Sequence, residues 1–139
     1  MKLLLLIAAL LAGCAAVPAP EAPAPAPAAP AENPAVARLM QTARADQAAS
    51  RLGSAEASLE RALRIEPRNP RLWQQLARIR LEQGQYDQAE SLAARSNTWA
   101  GADNGLRADN WNLIAQARDA RGDAEGARAA RENAARYAR

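Results

Sequence analysis

This 139-residue sequence predicts an all-α fold: three stacked helical hairpins forming a six-helix solenoid behind a proline-rich leader. Three observations carry the prediction. First, landmarks recur. Trp73, Leu76, Ala77, Gly84, Tyr86 and Ala89 are followed 38 positions later by Trp111, Ile114, Ala115, Gly122, Ala124 and Ala127. Leu39, Ala43, Leu52 and Ala55 stand 34 positions before Trp73, Ala77, Tyr86 and Ala89. A period of this length marks a supersecondary unit that buries its apolar face only by stacking on its neighbours. Second, helix punctuation falls at the right places: Asn33-Pro34 and Asn69-Pro70 at starts, Gly84 and Gly122 at ends. Third, apolar residues such as Leu72, Leu76 and Ile79 follow a helical face, and β-branched residues are scarce.

The leader is read first. Met1-Lys2 followed by apolar Leu3 to Leu11 has the charge and length of a secretory signal over residues 1–13. It is too short for a membrane-spanning helix, which needs about 20 apolar residues. It closes on Leu11-Ala12-Gly13-Cys14, which resembles the bacterial lipobox. That resemblance implies cleavage before Cys14, a diacylated thiol and a further acyl chain on the new amino group. Cys14 is the sole cysteine, so an internal disulfide is excluded and a covalent lipid gives it a task. Several acyl chains anchor a protein firmly. In lipoproteins of this kind Asp just after the Cys commonly retains the protein on the inner membrane. Here Ala15-Ala16-Val17 follow, so the resemblance implies the periplasmic face of the outer membrane.

Residues 14–34 then form a lipidated cysteine and linker, with seven of the nine prolines between Val17 and Pro34. Alternating Ala-Pro removes backbone donors and biases each preceding residue to extended conformations, so the segment is expected to be a disordered, semi-rigid spacer. Twenty such residues reach about 60 Å.

Six helices are expected in the remaining domain, residues 35–139: roughly 35–49, 54–65, 70–83, 86–97, 107–121 and 123–138. Asn33 and Asn69 are N-cap candidates ahead of first-turn prolines, and Ser54 and Asp123 candidate caps for second helices. Small residues Ala43, Ala77, Ala115 and Ala55, Ala89, Ala127 mark close helix approaches. Ser96 to Gly105 reads as a loop that absorbs the four extra residues between units two and three.

The landmarks resemble the tetratricopeptide repeat: large residue, Leu and small residue on a first helix, then Gly-x-Tyr, then small residues on a second. The resemblance covers residues 36–138, in units of about 36–69, 70–103 and 108–139. The third unit departs from the pattern at Ala124 and Arg131, where Tyr and a large apolar residue are usual.

Charge and composition limit the function. From residue 36 onward 17 Arg face 13 acidic residues, and Lys is absent. That mild excess, without a basic run or interleaved aromatics, argues against nucleic acid. There is no His, and no carboxylate cluster at metal-ligand or acid–base spacing, so an enzyme is not expected. Asp119 and Asp123 lie close together, but Asp123 reads as a helix cap. No cofactor is expected beyond the lipid on Cys14.

A protein partner is expected instead. Carrying the family's groove positions over places Met40, Gln41 and Arg44, Gln74, Gln75 and Arg78, and Asn112, Leu113 and Gln116 on the concave face. Arg44 and Arg78 are one repeat apart, two guanidinium forks able to grip a carboxylate or an extended peptide backbone, or else to meet Asp46, Glu82 or solvent as an ordinary wet face. The family's carboxylate clamp of Lys and Asn is not matched. Trp73 and Trp111 are expected in or beside the core. Trp99 falls outside the repeat pattern in the expected loop, as an interface hot spot or as a cover over the joint between units two and three. The last helix is expected to serve as a solubilising cap or as a face for a partner or second copy.

The whole design, acylated Cys, Ala/Pro tether and small repeat domain, looks like the outer-membrane lipoproteins of the LpoP type. That resemblance implies reaching across the periplasm to activate a bifunctional class A penicillin-binding protein. A pilotin or assembly factor for a secretin or pilus, and a passive structural lipoprotein, are the alternatives. The identity of the partner, activation as against scaffolding, and the oligomeric state are left open by the sequence.

Overall fold

The computed structural model describes residues 33–138. The expected signal peptide, Cys14 and the linker through residue 32 lie outside the described residues. Six helices follow in order: α1 Pro34–Ala48, α2 Leu52–Ile65, α3 Pro70–Glu82, α4 Tyr86–Trp99, α5 Asn104–Ala120 and α6 Ala124–Tyr137. Each helix packs on the next, and α3 also meets α5. The hairpins α1–α2, α3–α4 and α5–α6 therefore stack in sequence, as the repeat predicts.

Local chemistry sets the starts. Asn33 and Asn69 accept from the amides of Ala35 and Arg71 at 3.0 Å, each ahead of a first-turn proline. Asp103 and Asp123 accept from Leu106 and Gly126 at 2.9 Å. Such side chains satisfy amides that a helix start leaves without an intrahelical partner. Ser54 does not cap α2: the helix begins earlier, after Arg51, with no side-chain cap. Here the turn itself ends one helix and starts the next. The amide of Arg51 donates to the carbonyl of Asp46 at 2.8 Å, and the Arg51 guanidinium grips the Asp46 carboxylate at 2.6 Å.

That turn contains the one non-glycine residue of positive φ among those described, Ser50 at 59°. It occupies the repeat position of Gly84 (76°) and Gly122 (81°). All three hairpins thus turn through a left-handed residue, which only glycine enters without steric cost.

The expected loop of residues 96–105 shrinks to 100–103, because α4 continues through Trp99 and α5 starts at Asn104. The polar residues that suggested a loop are satisfied inside the helical structure. Ser96 donates to the carbonyl of Pro70 at 2.8 Å, and Thr98 to that of Ala94 at 3.3 Å.

The core has two parts. The first joins Leu59, Ala62 and Leu63 of α2 to Leu72, Leu76 and Ile79 of α3, with Val36, Ala43 and Ala55. The second is poorer in volume: Ala77, Ala93, Leu113, Ile114, Ala115 and Ala130. Beside it lies a buried polar contact. Asn110 donates to Ser96 at 2.7 Å and to Asn97 at 3.0 Å, tying α5 to α4.

The joints also share an ion pair. Glu56 of α2 meets Arg80 of α3, and Glu90 of α4 meets Arg118 of α5. Glu56 and Glu90 are 34 positions apart, Arg80 and Arg118 38, so the pair repeats with the fold. The Glu90 hydrogen bond holds the Arg118 guanidinium above its ordinary pKa against the opposing effect of burial. At the outer ends the pattern breaks: Asp46 stands where Arg80 and Arg118 stand, and exposed Arg128 where Glu56 and Glu90 stand.

Candidate protein-binding groove

The first helices of the hairpins, α1, α3 and α5, carry the expected groove. Met40, Gln41 and Arg44 come together on α1 around a hollow of about 370 Å³, with Arg71 of α3 and Asn69 on its far side. The residues expected from units two and three do not line that hollow. Gln74, Gln75 and Arg78 are half-buried on α3, and Asn112 and Gln116 are exposed on α5. Leu113 departs from expectation. It is buried with Ile114 and Ala115 in the second core, because α3, α4 and α6 need its volume where most neighbours are Ala.

The acids that were candidate partners for the two groove arginines are engaged elsewhere. Asp46 is held by Arg51. Glu82 accepts from Gln47, which in turn accepts from Gln75, a chain of amides that ties α1 to α3. Arg44 donates to the thioether of Met40 at 3.3 Å, a weak acceptor. Neither Arg44 nor Arg78 is in an ion pair among the described residues. Gln74 presents a buried amide nitrogen with no hydrogen-bond partner. One carboxylate, Glu66, also lines the hollow, where it accepts from the Asn69 amide at 2.7 Å. The guanidinium of Arg44 and the amide of Gln74 are donors suited to a carboxylate or a peptide carbonyl.

Asp123 caps α6, and Asp119 pairs with Arg131 at 2.5 Å, so these two acids have structural partners.

The comparisons bear on this geometry. A tetratricopeptide repeat family model matches residues 46–104, from the end of α1 to the start of α5. No curated protein matches. Among solved structures, the globular C-terminal domain of LpoP from P. aeruginosa is 45% identical, with a TM-score of 0.73. The match covers 74% of this chain and 97% of that domain. The chain belongs to the LpoP-like tetratricopeptide-repeat proteins.

In this LpoP-like domain Trp99 is neither in a loop nor outside the repeat. It is the last residue of α4, in the position of Ile65 at the end of α2 and Tyr137 at the end of α6. It stays 40% exposed, with the Arg68 guanidinium 5.1 Å from its ring centroid. Arg107 covers Tyr137 in the same way at 5.4 Å. Trp73 is half-buried beneath Arg95 at 4.7 Å and donates from its indole to the Pro67 carbonyl at 2.8 Å. Trp111 packs at the margin of the second core. The row Ile65, Trp99, Tyr137 escaped the sequence reading, although the offsets of 34 and 38 already contained it. Aromatic residues beside arginine are favoured at interfaces.

Proposed function

We propose that this chain is an outer-membrane-anchored periplasmic module that binds a class A penicillin-binding protein and activates or scaffolds it. The observation that carries the reading is the 45% identity to LpoP across 97% of its globular C-terminal domain. That Arg44 and Arg78 form no ion pair among the described residues supports it, because a binding groove needs donors that the fold itself does not consume. In this reading Cys14 carries the lipid, the Ala/Pro linker spans part of the periplasm, and the repeat domain contacts the synthase. The chain contributes binding and no catalytic group.

The test is reconstitution of the full chain with a purified class A penicillin-binding protein, following glycan polymerisation and peptide crosslinking. A rise in either rate that saturates with the added chain is expected. Unchanged rates together with no measurable association would overturn the reading. The anchor is tested separately. Cys14→Ala is expected to move the protein from the membrane fraction to the soluble periplasm, and unchanged fractionation would remove the lipid from the proposal.

A further inference from the structure

The first hairpin carries a stacking face that the other two hairpins bury. In the second, that face is Leu72 and Leu76 of α3, buried together with Leu59, Ala62 and Leu63 of α2. In the third it is Asn110 and Ile114 of α5, with Asn110 fully buried and bonded to α4. Each time, the second helix of the preceding hairpin lies over it. The matching residues of α1 are Arg38 and Thr42, both exposed, and among the described residues no helix covers them.

Around them lies an open hollow of about 710 Å³ lined by α1 and α2. Leu39 and Ile65 give it an apolar floor, and Ile65 is 46% exposed. Arg38, Arg61 and Arg64 stand along its rim. No carboxylate lines it, and none of the three arginines forms an ion pair among the described residues. The acid closest to them in sequence, Glu60, does not line the hollow and forms no ion pair with them among the described residues.

We infer that this face receives an acidic amphipathic helix of the protein partner, seated as α2 sits on α3. The shape argument is internal to the chain, because the same surface takes a helix in both places where the fold covers it. The charge argument selects which helix. An apolar stripe is needed to cover Leu39 and Ile65, with Asp or Glu beside it to reach the three guanidinium groups. A basic helix would bring like charges together and be rejected. This rests on the protein-binding reading above. It assigns part of that binding to the open end of the solenoid rather than to the groove of α1, α3 and α5.

The full chain is to be titrated with a synthetic amphipathic helix as long as α2, 14 residues, bearing a Leu stripe flanked by Glu. Amide NMR shifts are expected at Leu39, Thr42 and Ile65. The same helix with Lys for Glu should bind at least about tenfold more weakly, as should the acidic helix to Arg38→Glu/Arg61→Glu/Arg64→Glu. The matching triple Lys variant, which keeps the charge, should retain most of the affinity and controls for folding. Shifts confined to Gln75 and Gln116, equal binding of both helices, or indifference to the charge reversal would overturn the inference. Phosphatidylglycerol vesicles are run in parallel. If they shift these residues and the helix does not, the occupant is a membrane surface and the inference fails.

A second arm separates the two readings. Synthase affinity insensitive to the triple reversal but weakened by Arg44→Glu/Arg78→Glu overturns the inference and leaves the proposed function standing. Absence of synthase binding by the unmodified chain overturns that function, and the helix titration alone then decides the face.

Discussion

The two joints of the solenoid solve one problem with different chemistry. Between α2 and α3, five Leu and Ile side chains interlock: Leu59, Leu63, Leu72, Leu76 and Ile79. Between α4 and α5 the position of Leu72 is taken by Asn110, and that of Ala62 by Ser96. Both are fully buried, and each finds its partner in the other. Apolar volume tolerates small adjustments of angle, whereas a buried amide tolerates only the geometry that satisfies it. The polar joint ties the third hairpin to the second through the Asn110 amide nitrogen, whereas the buried amide oxygen of Asn110 has no hydrogen-bond partner. The four-residue insertion between these hairpins lengthens the link at this joint.

The largest effect expected from breaking this contrast is at the apolar joint. Leu59→Ala and Leu72→Ala should each cost about 2–5 kcal/mol in urea unfolding. A cost below 1 kcal/mol would show that this joint is not the stronger of the two. Asn110→Ala should follow, at about 1–3 kcal/mol, because it removes the buried amide that bonds Ser96 and Asn97, while Ser96 keeps its bond to the Pro70 carbonyl. The sharper variant is Asn110→Leu with Ser96→Ala, which copies the first joint into the second. It should recover most of the loss, and failure to do so would mean that the neighbouring alanines already fill the available space.

The ion pair common to both joints predicts unequal losses. Glu56→Gln should cost about 1 kcal/mol and Glu90→Gln more, because Glu90 also meets Arg121 where Glu56 meets only the neutral Gln83. Equal losses would show that the Arg121 contact adds nothing to the second joint. The smallest effect has the opposite sign. Ser50→Gly should stabilise by about 0.5–1 kcal/mol, relieving the left-handed turn that the other hairpins assign to glycine. A loss of stability on that change would mean that the serine side chain compensates its backbone.

Much of this architecture was legible because its signals are periodic. Asn-Pro starts, left-handed glycines and the recurring apolar and small residues fixed six helices to within a few residues. Misreadings arose where a polar residue has two uses. Ser54 resembled a cap and Ser96-Asn97-Thr98 a loop, yet the first lies inside α2 and the others bond within the packed structure. Trp99 was misplaced by the same error, since its helix was ended too early. Repeat position alone placed Arg44 on α1 and Arg78 on α3, one repeat apart. That their nearby acids are occupied depends on Arg51 and Gln47, contacts that spacing alone does not reveal. Leu113 was lost to the core because the alanines around it leave volume that only a larger side chain fills.

Arg128 reverses the charge that the first two hairpins present to the next. It is exposed on α6 at the site where α2 and α4 present a glutamate to the next hairpin. A further hairpin of the same pattern would arrive with its own arginine at that site and meet cation with cation. Each junction in the described residues thus sets Glu against Arg. In a solenoid lengthened with a copy of residues 70–103, Arg128→Glu should therefore add about 1 kcal/mol of stability to the new joint.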